Sequence, residues 1–365
     1  MANVLDLRRR IRSVKNTRQI TKAMKLVSAA KLRRAQERAI AGRPYSRMLS
    51  SVITSLVRRI AVYDPSTGDV RHPLLLSRPE KRAVLIVISG DKGFAGAFNG
   101  NIIKAAFRFI GEKGDEEIDI EAIGRKGRDL FRRRYGMAAF VTEEEPHSQD
   151  EEQQPALPAR RRRERKAQIE ISGDHPNMLD KLSFDRVSGL ARDIIDRYIH
   201  EEIDAAYLIF NEFKSVIAQR VVVERILPII EPGRPDIAQA QAMELEERQR
   251  AAKAAVTSGV SLQEPDTQQA EEEAAKFGTA EVDYIYEQPA PELLDGLLRQ
   301  YVATQMFRAM AESVAAEHAA RMTAMDSATN NASEIIDSLT LVMNRARQAA
   351  ITKEIIEIVS GAAAL

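Results

Sequence analysis

The sequence predicts an α/β protein in which a long antiparallel coiled coil of the N- and C-terminal helices accompanies a central α/β domain. Two observations indicate the coiled coil: neither residues 1–41 nor residues 297–360 contain a glycine or a proline, and both spans repeat apolar residues at three- and four-residue steps. A third observation indicates the domain, since short apolar runs alternate with helical patterns over residues 80–235. A compact domain can return the chain close to its start, so we expect the terminal helices to pair.

The first element is an N-terminal coiled-coil helix over residues 1–60. The charged residues in this span are all Lys or Arg except Asp6 and Glu37. A helix this basic needs an acidic counterpart. In isolation such a helix could follow nucleic-acid phosphates, and a basic coiled-coil nucleic-acid-binding protein is one alternative function. An apolar stripe favours a helix pair instead. The stripe slips after its third member and comprises Leu7, Ile11, Val14, Ile20, Met24 and Val27.

The central domain is expected over residues 80–235. Its strands are predicted at residues 83–89, 118–123, 138–141, 205–210 and 221–227, and its helices at residues 102–109, 126–134 and 182–200. This alternation predicts a mostly parallel sheet with helices on both faces. Residues 143–168 interrupt the pattern with an acidic run, prolines and the arginines 160–163, which predicts a disordered low-complexity insertion.

A glycine-containing loop follows the first predicted strand. Gly90, Gly93 and Gly96 do not match the G-x-G-x-x-G pattern of dinucleotide-binding folds, and no Lys-Ser or Lys-Thr follows to form a phosphate loop. We expect the glycines to permit a tight turn and close helix packing, with no nucleotide bound. A dinucleotide enzyme is the second alternative. Asp119 and Glu121 follow at a suggestive distance, but they alternate with apolar residues and are expected to face solvent.

Two segments complete the chain. Residues 236–280 form a polar insertion rich in Ala, Gln and Glu, which we expect to lie outside both the sheet and the coiled coil, with its first half as a solvated helix. Residues 288–365 form the C-terminal coiled-coil helix. Its seam is predicted at Met325, Ala328, Ala332, Ile335, Leu339, Val342, Ala346 and Ala349.

The residue types that carry catalysis are not arranged for it. The chain has no cysteine, which excludes disulfides and thiol catalysis. Its five histidines are scattered without metal-ligand spacing, and neither a G-x-S-x-G nor an H-E-x-x-H pattern occurs. No apolar run reaches the roughly 18 to 20 residues of a membrane span. We therefore expect a chain that is not an enzyme, binds no cofactor or metal and does not cross a membrane.

Two terminal segments resemble one known family. Residues 16–32 (NTRQITKAMKLVSAAKL) and 346–363 (ARQAAITKEIIEIVSGAA) closely resemble the gamma subunits of rotary F-type ATP synthases. Residues 89–96 (SGDKGFAG), 282–287 (VDYIYE) and 321–329 (RMTAMDSAT) are also similar to patterns of this family. The resemblance covers nearly the whole chain apart from the two low-complexity segments. Photosynthetic members carry a regulatory cysteine pair, and a chain without cysteine cannot use that control.

The resemblance implies a fold, partners and a place in the cell. The terminal helices would form a coiled coil inside a ring of alternating alpha and beta subunits, and the central domain would be Rossmann-like. The chain would have no catalytic site or cofactor and would act as a rotor that couples ion flow to ATP synthesis and hydrolysis. Its partners would be the alpha, beta and epsilon subunits and the c-subunit ring, with no nucleic acid. It would be a peripheral protein on the cytoplasmic face of the bacterial inner membrane, attached only through the c ring.

The resemblance also implies two sets of contact residues. Contacts with beta subunits are expected at Met24, Arg347, Gln348, Thr352 and Glu354. Contacts of the foot with the epsilon and c subunits are expected at Tyr284, Tyr286 and Glu287. The basic first helix would then find its acidic counterpart in a loop of the beta subunits.

Overall fold

The computed structural model describes residues 4–59, 72–142, 161–164, 167–231, 234–262 and 289–363. The helices in these ranges are α1 Val4–Ala41, α2 Arg43–Arg59, α3 Phe98–Glu112, α4 Arg125–Arg134, α5 Phe184–Ile199, α6 Leu245–Ser258 and α7 Ala290–Ala363. The strands are β1 Arg82–Ile88, β2 Glu117–Ile123, β3 Gly136–Met137, β4 Ala139–Thr142, β5 Arg161–Glu164, β6 Ile169–His175, β7 Ala205–Phe213, β8 Gln219–Leu227 and β9 Asp236–Ala242. Within the described ranges, no helix is long and apolar enough to cross a membrane.

The central domain is built on a seven-stranded sheet in the order β3-β6-β2-β1-β7-β8-β9. The first five strands in that order run parallel, and β8 and β9 extend one edge in antiparallel pairing. Alternate residues of β1 enter different cores, with Leu85 and Val87 on the α3 side and Val84 and Ile86 on the α5 side. The predicted mostly parallel sheet, covered by helices on both faces, is confirmed.

The longest helix, α7, passes from one face of the sheet to the other. Its residues 294–310 belong to the core on the α5 side, and its residues 315–322 belong to the core on the α3 side. Between these stretches α7 crosses the carboxyl end of β7, where Ser313 Oγ accepts a hydrogen bond from the backbone N–H of Asn211 (3.2 Å). The helix contains 74 residues and is about 110 Å long. It leaves the domain and pairs with α1.

The predicted helix over residues 1–60 is interrupted. α1 ends at Ala41, and α2 begins at Arg43 after the single residue Gly42. Pro44 has no backbone N–H and fits the first turn of a helix, so Gly42 and Pro44 together end one helix and start the next. α2 leaves the coiled coil and packs on the α5 side of the sheet through Leu49, Ile53 and Leu56.

The expectation that residues 236–280 lie outside the sheet and the coiled coil is wrong for the described part of this segment. β9 pairs with β8, and α6 buries Ala251, Ala254 and Ala255 against α1 and α7. Backbone pairing is available to any side chain, and alanine is small enough to pack between helices. A polar composition therefore does not exclude these contacts. Residues 263–280 lie outside the described residues.

The predicted disordered insertion over residues 143–168 is also partly regular. Arg161–Glu164 forms β5, which pairs antiparallel with β4. Strand pairing uses backbone groups, so a run of arginines can take part in it. Residues 143–160 and 165–166 lie outside the described residues.

Asp119 and Glu121 do not face solvent as expected, because only 3% and 7% of their surfaces are exposed. Arg197 forms ion pairs with both carboxylates. Glu121 also accepts a hydrogen bond from Ser172 Oγ (2.7 Å) and contacts His175 Nε2 (3.2 Å). β2 is an interior strand with helices on both faces of its sheet, so alternation along it does not mark a solvent face.

Candidate functional site: the coiled coil and its exposed end

α1 and α7 form an antiparallel coiled coil whose seam contains polar pairs. Lys25 Nζ contacts Asp326 Oδ1 at 2.7 Å, and both residues are buried. On one side of this pair, Thr329 Oγ1 donates to Thr21 Oγ1 (2.8 Å) and Arg18 contacts Ser333 Oγ (3.5 Å). The partner number on α7 falls as the number on α1 rises, so these pairs show directly that the helices run in opposite directions.

The seam of α1 differs from the predicted stripe after Val14. One set of buried or half-buried positions follows steps of four and three and forms the seam: Leu7, Ile11, Val14, Arg18, Thr21, Lys25, Ser28, Leu32 and Ala35. Ile20 and Val27 lie outside this seam and are 61% and 56% exposed. The heptad continues through polar residues that find partners on α7. A search for apolar residues alone therefore shifts the register.

The predicted seam of α7 is right at some positions and shifted by one residue at others. Met325 and Ala332 are buried, as expected. Ile336 occupies the seam, whereas the predicted Ile335 and Val342 are 48% and 45% exposed. The apolar pair Ile335 and Ile336 leaves two registers open in the sequence, and contact with α1 selects one.

α6 is attached to the coiled coil at Lys25. Besides Asp326, the Lys25 Nζ donates to Thr257 Oγ1 of α6 (2.7 Å). Arg33 donates to the carbonyl oxygen of Gly259, which ends α6 in a left-handed conformation (φ 64°). A buried ammonium with two oxygen partners holds three helices at one point.

The loop of Gly90, Gly93 and Gly96 lies under α7. A Cβ placed on Gly90 would stand 2.8 Å from Glu317 Oε1 and 3.3 Å from Asn99 Oδ1. Asn99 Oδ1 accepts the Gly90 N–H (2.9 Å), and Arg321 forms an ion pair with Glu317 and donates to the Gly93 carbonyl (3.3 Å). Helix α7 therefore covers the carboxyl end of β1, where a dinucleotide would bind in a Rossmann fold. Gly90 serves close helix packing, as the sequence predicts.

Ionisable side chains of α7 are buried on both faces of the sheet, close to the point at which the helix crosses it. Burial raises the pKa of Glu317 despite the neighbouring Arg321. Burial, with the cations Arg321 and Lys31, lowers the pKa of His318 to about 4. Farther back along α7, Arg308 donates to both carboxylate oxygens of Glu224 (2.8 and 2.9 Å). These contacts join α7 firmly to the sheet.

Four of the residues expected to contact beta subunits lie together near the end of α7. The Lys25–Asp326 pair sets the register, so Val4, 21 residues before Lys25, lies level with residue 347, 21 residues after Asp326. Past that level α7 has no partner among the described residues of α1. Arg347, Gln348, Thr352 and Glu354 are all exposed on this extension.

Met24 is not close to those four residues. It is half-buried beside the seam on α1, near the level of Asp326, and about 30 Å along the helix axis from residue 347. The structure therefore divides the predicted beta contacts between a shaft position and a tip. Tyr284, Tyr286 and Glu287, the predicted foot contacts, lie outside the described residues.

The end of α7 is also apolar, which the search for polar contact residues missed. Its exposed apolar side chains are Ile351 (49%), Ile355 (55%), Ile356 (58%), Ile358 (70%) and Val359 (61%). An isolated helix with large apolar side chains on several sides requires a surrounding partner. The signal that could have revealed it is the run of isoleucines beyond the level at which α1 begins.

Comparison with known proteins agrees with this geometry. A family model described as ATP synthase matches residues 3–365. The chain is 44% identical over 364 residues to the ATP synthase gamma chain of Solibacter usitatus (strain Ellin6076), covering 100% of this chain and 99% of that protein. It is 41% identical over 363 residues to the ATP synthase gamma chain of Geotalea uraniireducens (strain Rf4), covering 99% and 98%.

A solved structure supports the fold. A chain from the OSCP, F1 and c-ring structure of the Euglena gracilis mitochondrial ATP synthase, in rotational state 3, aligns with a TM-score of 0.52 at 15% identity, covering 99% of this chain and 94% of that chain. At this identity the likeness concerns the fold, a Rossmann-like domain joined to a helical stalk. Together with the match of the family model over nearly all residues, it leads to one conclusion: the chain belongs to the ATP synthase gamma chain family.

Proposed function

We propose that this chain is the central rotor shaft of an F-type ATP synthase. It couples ion flow through a membrane ring to ATP synthesis and hydrolysis on beta subunits by turning inside the alpha-beta ring. The observation that carries the proposal is the apolar extension of α7 beyond the level of Val4, with Ile358 70% exposed. A helix of this kind is stable in water only when a partner encloses it, and a ring of subunits provides such an enclosure.

The shaft has no catalytic role in this proposal. Within the described residues, no group of three or more His, Asp or Glu side chains could hold a metal ion. Helix α7 covers the crevice in which a Rossmann fold would bind a dinucleotide. In this proposal, chemistry takes place on the beta subunits, and this chain changes their conformations by contact.

In this proposal, rotation is coupled to conformational change in the beta subunits because the shaft is asymmetric. α1 presents exposed cations on one side of the coil, and α7 presents exposed apolar residues such as Leu341 and Val342. Each beta subunit meets a different face as the shaft turns. Shifting a two-state equilibrium from 1:99 to 99:1 requires about 5.5 kcal/mol of differential contact energy. A few charge-assisted hydrogen bonds and a buried apolar side chain have energies of this order.

The proposed partners follow from the two ends of the shaft. Met24, Arg347, Gln348, Thr352 and Glu354 would contact beta subunits within the ring, with the basic α1 facing an acidic loop of beta. Tyr284, Tyr286 and Glu287 would contact the epsilon subunit and the c ring. The chain would then be held on the cytoplasmic face of the bacterial inner membrane through the c ring.

Rotation can be tested directly because the chain has no cysteine. Lys214→Cys places one thiol on the exposed turn between β7 and β8, to which a bead can be attached. With the alpha and beta subunits immobilised through beta, we expect the bead to turn when ATP is added and to stay still without it. A bead that stays fixed while the complex hydrolyses ATP would contradict the rotor function.

A further inference from the structure

A groove of about 520 Å³ lies beside the crossing of α7. Its walls come from the start of α3, the paired ends of β7 and β8, the start of α6 and one face of α7. This volume is within the range of small-molecule sites in proteins. Strand order reverses between β1 and β7, and open α/β sheets bind ligands at the carboxyl ends of strands at such a point. Helix α7 fills the centre of that position and leaves the groove open.

The floor of the groove carries the side-chain amide of Asn211, which has no hydrogen-bond partner among the described residues. Asn211 is 7% exposed and lies on the same face of β7 as Ile209 and Phe213. Its backbone N–H bonds to Ser313, but no described residue makes a hydrogen bond with its side chain. Beside it, Gln219 donates only to the Val216 carbonyl (2.9 Å). A side chain this buried normally has a hydrogen-bond partner. The Asn211 amide is therefore available for a hydrogen bond with a ligand in the groove.

The wall at α3 favours a negative charge. α3 begins at Phe98 after Ala97, whose side chain makes no capping hydrogen bond, so the positive end of the helix faces the groove. Lys104 and Arg220 line the same cavity, and Arg220 forms an ion pair with Glu212. The opposite wall at α6 carries the acidic side chains Glu244 and Glu247 and the cation Arg250, which is paired with Glu246 (3.1 Å). An anionic group is thus favoured at the α3 end and disfavoured at the α6 end.

The wall formed by α7 is made of small residues, with the polar Thr323, Ser327 and Asn331 beside three alanines. Ala320, Ala324 and Ala328 line the groove, so the predicted seam position Ala328 faces this cavity. A ligand with a flat apolar body would fit between these side chains.

We propose that the groove is a binding site for a small amphipathic anion, with a carboxylate or sulfonate at Lys104 and the start of α3, a hydrogen bond to Asn211, and an aromatic or aliphatic body against α7. Such a ligand contacts the sheet, α6 and α7 at once. Its binding therefore joins the Rossmann-like domain to the shaft. The site does not depend on the rotor function.

The test uses anilinonaphthalenesulfonate, a fluorescent amphipathic anion, titrated into the full chain. We expect a saturable site with one probe per chain. Lys104→Ala should weaken binding about tenfold, and Asn211→Leu should weaken it by a smaller factor. Ala328→Phe should abolish the site by filling it. Lys214→Ala, which removes an exposed cation outside the groove, should leave the affinity unchanged.

The exposed end of α7 could also bind this dye, so a tip variant separates the two locations. Ile355→Ser with Ile356→Ser should weaken binding at the tip and leave the groove site intact. If Ala328→Phe fails to fold, comparing the probe affinities of Lys104→Ala and Lys214→Ala decides whether the probe binds in the groove. Equal affinity in those two variants, or loss of the saturable site in the tip variant, would overturn the proposal.

Discussion

Gly90 follows β1 and lies directly against α7. Its missing side chain leaves room for the Glu317 carboxylate, which is buried and paired with Arg321. Glu317 cannot easily move away, because both its burial and its ion pair hold it in place. One hydrogen atom in place of a methyl group thus allows the rotor helix to cross the sheet.

Gly90→Ala should therefore destabilise the isolated chain by about 1–3 kcal/mol, because the new methyl group displaces Glu317. Urea unfolding measures the change. Gly93→Ala is the matched control, since a Cβ there would meet only Lys126 Cε at 4.0 Å.

Calorimetry with ATP, ADP and NAD should show no saturable heat for the unmodified chain. Nucleotide binding that Gly93→Ala abolishes would instead identify this loop as a nucleotide site.

His318 makes the stability of the crossing depend on pH. Its Nδ1 lies 3.2 Å from Arg321 Nη1, and its pKa falls from 6.5 to about 4 because of burial, Arg321 and Lys31. The unfolded chain therefore binds a proton at His318 at a higher pH than the folded chain does. Stability is lost as the pH falls from 6.5 towards 4, by up to about 3 kcal/mol.

His318→Gln should remove this part of the pH dependence. We expect urea midpoints of the unmodified chain to fall more steeply between pH 6.5 and pH 4 than those of the variant. The raised pKa of Glu317 acts in the opposite direction, but Glu317 is present in both proteins. Parallel pH profiles for the two proteins would show that His318 is protonated equally in the folded and unfolded chains.

At the scale of elements, α6 is a brace between the domain and the coiled coil. Its buried alanine face and the Lys25–Thr257 hydrogen bond (2.7 Å) connect it to α1 and α7. Its other face is solvent-exposed, with Val256 68% exposed. Replacing the segment 236–276 by a flexible linker would therefore remove both a strand of the sheet and this brace.

Ala254→Asp should detach α6, because Ala254 is fully buried and the new carboxylate would have no partner there. We expect a loss of roughly 2–4 kcal/mol in stability and faster trypsin cleavage after Arg248 and Arg250. Val256→Asp places the same charge on the exposed face of α6 and should change stability by less than about 0.5 kcal/mol. Equal cleavage rates in both variants would show that α6 does not brace the coil.

At the scale of the whole molecule, α7 is one continuous helix from the domain to the exposed tip. Its 74 residues include the sheet crossing, the seam with α1 and the end that extends past the described part of α1. Force applied to the domain therefore reaches the tip through one hydrogen-bonded rod. Coupling in the assembled complex then depends on how evenly the shaft passes the surrounding subunits.

Met24→Lys should reduce coupling without preventing assembly. Met24 is half-buried beside the seam on the basic helix, and methionine adapts easily to different neighbours. A lysine there would add a charge-assisted hydrogen bond of about 1.5–3 kcal/mol at one rotational position. In membrane vesicles we expect ATP hydrolysis to persist while fewer ions are pumped per ATP. Met24→Leu keeps the apolar contact and should pump normally. An unchanged ratio in Met24→Lys would assign Met24 to the seam alone.

Much of the architecture could be predicted from the chain itself. The absence of Gly and Pro identified the terminal helices, and the apolar runs identified strands such as β1 and β2, because these signals are local. The family resemblance at residues 16–32 and 346–363 came from motifs that need no structure. The same motifs gave Arg347 and Thr352 as contacts with beta subunits, which stay predictions.

Other features depend on contacts between distant residues. The polar seam at Arg18, Thr21 and Lys25 is recognisable only with its partners on α7, since polar residues in isolation predict a solvent face. The burial of Glu121 and the places of β9 and α6 likewise depend on neighbours far along the chain. The sequence by itself determined the terminal helices and strands such as β1 and β2, because their local patterns favour one backbone conformation. Only the tertiary structure decided which faces are buried, because burial of a polar group is stable only where a specific partner meets it.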